Sequence, residues 1–198
     1  MFRVLKPAPA LIEDFLTLQR NQDFSYPEIG STNGTLPPNY TVHHNRVRLG
    51  KGVQAFRHAV ASLRSWQMFR LRWVEVFPAT TPIHVGETVT VLVKHFGFWS
   101  LNACRIVYVL EEERTCGFAY GTLKEHAEQG EERFSVDWLE EDNSVWYNIL
   151  AFSRPRKWQA RMMWPLSRML QERFARDSMA AMKRAVLAGA DQHAVGSD

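Results

Sequence analysis

The order of parts constrains this chain most. Short stretches of alternating apolar and polar residues run from about Phe69 to Ala151, and a long basic amphipathic segment follows. Alternation with period two buries one face of a sheet, and that face needs a cover. A helix laid across a curved antiparallel sheet supplies the cover and can leave a hollow beneath it. The clearest strand is RFSVDW, where Phe134, Val136 and Trp138 share one face and Arg133, Ser135 and Asp137 the other. In FRLRW the same split puts Phe69, Leu71 and Trp73 inside and Arg70 and Arg72 outside. Strands are predicted over 41–49, 69–77, 87–96, 99–110, 115–122, 131–139 and 144–152, seven in all.

Helices bracket these strands. Leu11, Ile12, Phe15 and Leu18 predict a short helix over 10–20. Residues 21–39, with Pro27, Gly30, Gly34 and the Pro37-Pro38 pair, have loop chemistry. Val53, Phe56, Val60, Leu63 and Met68 form one helical stripe, which one or two short helices satisfy. The closing segment presents Trp158, Met162, Leu166, Leu170 and Phe174 at intervals of four, with Pro165 as a break or a new start. A helix over 165–187 would extend about 33 Å, enough to cross the sheet. The expected organisation is an N-terminal helical extension over 1–25, one α+β domain over 26–188 and a frayed tail over 189–198.

Composition bounds the class. With 198 residues, 45% of them hydrophobic, there is material for one substantial core. Two cysteines, Cys104 and Cys116, point to reduced thiols in a cytoplasmic setting rather than a disulfide framework. Pro7 and Pro9 interrupt the apolar stretch that a signal peptide requires, and no run approaches the length of a membrane helix. The net charge of +3 is uneven: residues 154–184 carry +7 and the remainder −4. Such a face can meet the phosphates of an anionic membrane or of nucleic acid, or can be the solvated side of an amphipathic helix. The seven histidines lack ligand spacing, and no nucleophile elbow, phosphate loop, dinucleotide fingerprint or paired-cysteine motif occurs. No cofactor and no metal are expected.

Several blocks carry a resemblance: YPEIGSTNGTLPPNY (Tyr26 to Tyr40), FWSLNACRIVYV (Phe98 to Val109), FAYGTLKEHAEQGEERF (Phe118 to Phe134) and FSRP (Phe152 to Pro155). In them the chain resembles the bacterial and plant family called domain of unknown function 1990, over roughly Tyr26 to Met182. That family is grouped with the helix-grip folds of START and birch-pollen-allergen type. The resemblance implies a seven-stranded curved antiparallel sheet wrapped around a long C-terminal helix, two short helices after the first strand, and a cavity between sheet and helix. It implies no activity.

The cluster Tyr120, Thr122, His126, Glu131 and Glu132 concentrates the chemistry. If Phe134 faces inward, period two puts Glu132 on the same face, beside Tyr120 and Phe118 of the preceding strand. A carboxylate there would be desolvated and its pKa raised, fit for a proton shuttle or for holding a polar ligand head. At the rim, Glu131 and Glu132 would instead pair with Arg105 or Lys124. Arg105 could clamp an anion, or lie on the face opposite Asn102 as a structural cation. Glu28 could reach over the cavity mouth or fix its loop. The expected lining is Trp73, Asn102, Arg105, Phe118, Tyr120, Thr122, Glu132, Phe134, Trp138, Trp146, Met162 and Met169, with His126 and Glu132 as the catalytic candidates. Three classes follow. One is a binder of a hydrophobic or amphipathic small molecule. The second is an enzyme of cyclase, dehydratase or hydrolase type. The third is a protein that touches anionic membrane or nucleic acid transiently, without specific nucleic-acid recognition. The expected assembly is a monomer or weak dimer.

Overall fold

The computed structural model describes residues 2–126, 128–155 and 164–195. In chain order the elements are β1 (Phe2–Arg3), α1 (Pro9–Gln19), β2 (Thr41–Lys51), α2 (Gly52–Arg64), β3 (Val74–Phe77), β4 (Thr88–His95), β5 (Phe98–Glu111), β6 (Thr115–Thr122), β7 (Glu128–Trp138), β8 (Ser144–Pro155) and α3 (Trp164–Val195). Seven strands form one antiparallel sheet in the order β2-β8-β7-β6-β5-β4-β3, with β1 beside the start of β5. This is the helix-grip arrangement. From β3 onward each strand pairs with the next, through short connections after β4 and through residues 78–87 between β3 and β4. In the β4–β5 turn, Phe96 and Gly97 both have positive φ, 48° and 80°, as a two-residue hairpin requires.

The concave face carries the main core. Ala59 and Leu63 of α2, Trp66, Met68 and Phe69 of the following turn, and Phe118, Phe134, Val136 and Tyr147 of the sheet pack with Met182 and Val186 of α3. Polar contacts also pin α3 to the sheet: Trp73 Nε1 donates to Asp177 Oδ2 at 2.9 Å, and the Tyr147 and Ser178 hydroxyls meet at 3.0 Å. Arg173 stacks over Trp73 at 4.2 Å. The first helix covers the other face, where Ile12 and Phe15 pack against Leu92, Trp99, Leu101, Ala103 and Leu123.

Three expectations change. Residues 69–73 are not strand: Gln67–Phe69 is a 3-10 turn and β3 starts at Val74. Phe69 and Trp73 are nevertheless buried and Arg70 and Arg72 exposed, because a chain turning a corner over a core also alternates. In α1 the buried stripe is Ile12, Phe15, Leu16 and Gln19, while Leu18 is 70% exposed. Helix α3 continues through Gly189 to Val195. Among the described residues no helix is long and apolar enough to cross a membrane.

Candidate functional site

The two halves of α3 do different work. Residues beyond Ser178 seal the core, whereas Ser167 to Ala175 stand off the sheet and roof a cavity of about 760 Å³. Part of its lining is aromatic: Phe69 and Phe174 of the roof pack with centroids 5.2 Å apart, and Phe134 lies behind them. Trp73, Val91, Val93, Ile149, Ala151 and Leu170 add apolar wall.

The polar wall comes chiefly from β7 and β6. Antiparallel register sets Glu132 opposite Tyr120, and both face inward. Tyr120 Oη donates to Glu132 Oε2 at 2.8 Å. What accessibility Glu132 retains is to the cavity, and desolvation raises its carboxyl to about 7 against a weaker lowering by the Tyr120 hydrogen bond. Burial, then the Glu132 charge, pushes the Tyr120 phenol well above its usual value. Two pleat repeats earlier, Glu128 accepts from Gln171 Nε2 of α3 at 2.6 Å, and desolvation raises its pKa too. His126 Nδ1 accepts the Glu128 backbone N–H at 3.0 Å, and burial lowers this imidazole to about 4. Across the sheet, His43 and Asn45 of β2 line the far side. The His43 pKa is lowered, first by desolvation and then by Arg168, and its buried Nε2 has no partner. Asn102 Nδ2 donates to Val91 O at 3.2 Å and Ser100 Oγ at 3.1 Å, leaving its carbonyl for other use. Thr122 faces the cavity but is engaged by Ser25 and by both backbone groups of Gly130.

The structure thus brings Trp73, Asn102, Tyr120, Thr122, His126 and Glu132 to one cavity. Six other expected lining residues lie elsewhere. Phe118 and Phe134 have the expected inward parity but are 0% exposed, consumed by packing against Trp66 and Phe69. Trp138 also points inward, but at the far end of β7, where Phe56 of α2 covers it. Trp146 sits on the outer face under Arg46, whose guanidinium stacks 4.0 Å above it. Met169 is on the solvent side of α3, 51% exposed. Arg105 points outward and donates to the carbonyls of Gln19, Arg20 and Gln22, tying down the C-terminal end of α1. Met162 lies outside the described residues.

The neighbouring carboxylate has a separate role. Glu131 faces outward and is 2% exposed, beneath the loop that follows α1. Tyr26 Oη and the Gly30 N–H donate to it at 2.7 Å, the Thr32 N–H at 2.9 Å, and the Thr32 hydroxyl also. Neither Glu131 nor Glu132 pairs with Arg105 or Lys124; Lys124 binds Asp23 at 2.5 Å. Glu28 fixes the same loop by accepting from Tyr40 Oη at 2.6 Å.

Sequence reasoning missed Glu128, His43, Asn45 and Gln171. Glu128 precedes the predicted strand 131–139, although the parity of Glu132 carried two pleats back selects it. The inward parity of Val47 and Leu49 likewise selects His43 and Asn45.

A family model described as domain of unknown function (DUF1990) matches residues 25–181. A UPF0548 protein of Dictyostelium discoideum is 35% identical over 207 residues, covering 94% of this chain and 96% of that one. A UPF0548 protein of Deinococcus radiodurans is 37% identical over 198 residues, covering 93% and 98%. Two solved structures share the fold at low identity. A hypothetical protein from Helicobacter pylori has 12% identity and a TM-score of 0.51, covering 81% of this chain and 96% of that one. The Zhui aromatase/cyclase from Streptomyces sp. R1128 has 13% identity and a TM-score of 0.50, covering 79% and 96%.

Proposed function

We propose a function from one premise: the chain belongs to the domain of unknown function (DUF1990) family. The reading is a binding protein for an apolar or amphipathic small molecule, seated between the sheet and the first half of α3. The observation that carries it is the cavity itself. Protein interiors are packed to the density of organic crystals, so about 760 Å³ of space beneath a helix is a feature that folding alone does not require. Sites for small organic ligands span about 300 to 1,000 Å³ and combine apolar walls with a few polar groups. Here Trp73, Val91, Ile149 and Leu170 would take the apolar body, and Tyr120, Glu132 and Asn102 would orient a polar group. The fold shared with the aromatase/cyclase supports the scaffold and leaves the ligand open. Both cysteines are buried free thiols, which supports a cytoplasmic setting.

The test uses a neutral apolar fluorophore, N-phenyl-1-naphthylamine, whose emission rises on leaving water. The wild-type chain is expected to take up one molecule, and Ala151→Trp, which fills the cavity from β8, is expected to abolish uptake while keeping the wild-type circular dichroism. Native mass spectra of freshly purified protein should show a retained small molecule that the same substitution removes. No uptake by the wild type, or equal uptake by the folded variant, would refute the reading.

A second reading rests on one observation. A carboxyl held at about 7 beside a phenol can give and take a proton at neutral pH, which suits general acid–base catalysis by Glu132 with Tyr120 positioning it. His126 is a weaker partner, because its Nδ1 is engaged by backbone and its pKa is low.

A further inference from the structure

We infer that the cavity selects a ligand with a protonated amine on an apolar body, the ammonium seated between Glu132 and Glu128. The inference rests on the reading of the cavity as a small-molecule site. It starts from charge that the wall leaves unmatched. Glu132 and Glu128 both face the cavity from β7, and among the described residues neither forms an ion pair. Their protein partners are neutral donors: Tyr120 for Glu132, and Ser167, Ser153 and Gln171 for Glu128. Among the described lining residues the only Lys or Arg is Lys124, which is exposed at the mouth and bound to Asp23. The lining imidazoles of His43, His95 and His126 all have lowered pKa values, so they add no positive charge at neutral pH.

Unpartnered atoms point the same way. One oxygen of Glu132 takes the Tyr120 hydrogen bond, and the carboxyl keeps some accessibility to the cavity. His43 Nε2 is buried in the same lining with no partner, and Gln171 Oε1, beside Glu128, is buried with none. A buried polar atom without a partner is costly, so each marks a place where a bound group would complete the wall. Gln171 Oε1 can only accept, and the ring nitrogen of a neutral His43 can accept as well, so both suit a donor on the ligand. A primary ammonium offers three donors and one positive charge, which answers both shortages. A carboxylate or phosphate ligand placed there would lie against the carboxyls of Glu132 and Glu128, while the described cations nearest the lining are Arg168, beside His43, and Lys124, at the mouth. A neutral alcohol would supply a single donor and leave the carboxylates uncompensated.

The experiment uses the full chain and three probes of one size: 4-phenylbutylamine, 4-phenylbutanol and 4-phenylbutanoate. Each is titrated at neutral pH against the fluorophore already bound in the cavity. The amine is expected to displace it about tenfold more tightly than the alcohol or the acid. Glu132→Gln and Glu128→Gln are each expected to remove the amine's roughly tenfold advantage over the alcohol measured on the same variant, the behaviour of a lost charge contact. Either variant suffices if the other fails to fold. Alcohol or acid binding as tightly as the amine, or an amine advantage that neither variant changes, would overturn the inference and leave the cavity reading standing. Failure of the fluorophore and of all three probes to bind would bring down both.

Discussion

Glu131 and Glu132 are adjacent in sequence, yet the pleat sends them to opposite faces and so to different electrostatic fates. Glu131 collects donors from Tyr26, Gly30 and Thr32, whereas Glu132 has one phenol and a cavity. The consequence is a pH dependence with an identifiable owner. Desolvation holds Glu132 at about 7 instead of 4.5. Between those values the folded chain keeps a proton that the unfolded chain has lost. Stability therefore falls as pH rises through the window, by about 1.4 kcal/mol per pH step and about 3 kcal/mol at most. His126 acts with the opposite sign. Burial lowers it to about 4 from 6.5, so the unfolded chain takes up a proton that the folded chain refuses, and stability rises with pH across that range. From about pH 4.5 to 6.5 the two slopes oppose each other. Denaturant titrations of wild type and Glu132→Gln between pH 4.5 and 7.5 separate them, because groups common to both proteins cancel in the difference. The variant is expected to gain on the wild type steadily up to about pH 7 and then to hold its lead. A difference that stays constant over the range would mean that Glu132 titrates as an ordinary carboxyl.

At the scale of elements, the loop of residues 24–40 acts as a second cover for the sheet. Tyr26 and Tyr40 pack edge-on against Phe152, which points outward from β8 and is 0% exposed. Gly121 makes room for this. A Cβ there would lie 2.1 Å from Tyr26 Oη and 2.9 Å from the ring carbons, so Gly121→Ala must expel the ring and break its bond to Glu131. The expected loss is about 2 kcal/mol or more, against the several tenths that Ala usually gains over Gly in a strand. Tyr26→Phe, which removes the clashing hydroxyl, should make the pair less damaging together than the sum of the two alone, as chemical denaturation would report. Strict additivity would mean that the ring and Gly121 do not compete for the same space. This loop also shows where the sequence stops being legible. Strands such as Phe134-Val136 and the inward placement of Glu132 follow from parity, because an open sheet obeys a period of two. The burial of Glu131 and Phe152 does not, because their cover is a segment without periodicity. Arg105 reads as a possible clamp until the carbonyls of Gln19, Arg20 and Gln22 are seen to need a donor. The roof was obscured by the slip in phase after Phe174, which marks the change from cavity to sealed core.

At the scale of the molecule, the sheet is the middle of three layers, with α1 and its loop on one face and α2 and α3 on the other. That arrangement changes the standing of the first 25 residues. Read alone they are an extension, but Ile12, Phe15 and Leu16 are 3%, 6% and 1% exposed, and Ile12 and Phe15 shield Leu92, Leu101 and Leu123. Burial of a large apolar side chain contributes about 1.5 to 3 kcal/mol, so three contribute about 5 to 9 kcal/mol, before Arg105 loses its acceptors. A whole domain is stable by about 5 to 15 kcal/mol. The outer layer therefore decides whether the sheet keeps the curvature that holds the cavity open, although no atom of α1 lines it. A chain beginning at Asp23 is expected to lose cooperative thermal unfolding or to melt at least about 10 °C lower, and to self-associate through the uncovered Leu92 and Leu101 in size-exclusion chromatography. A shortened chain that stays monomeric and melts within about 2 °C of the full one would show that β4 and β5 hold their shape without a cover, and that the inner layer alone builds the site.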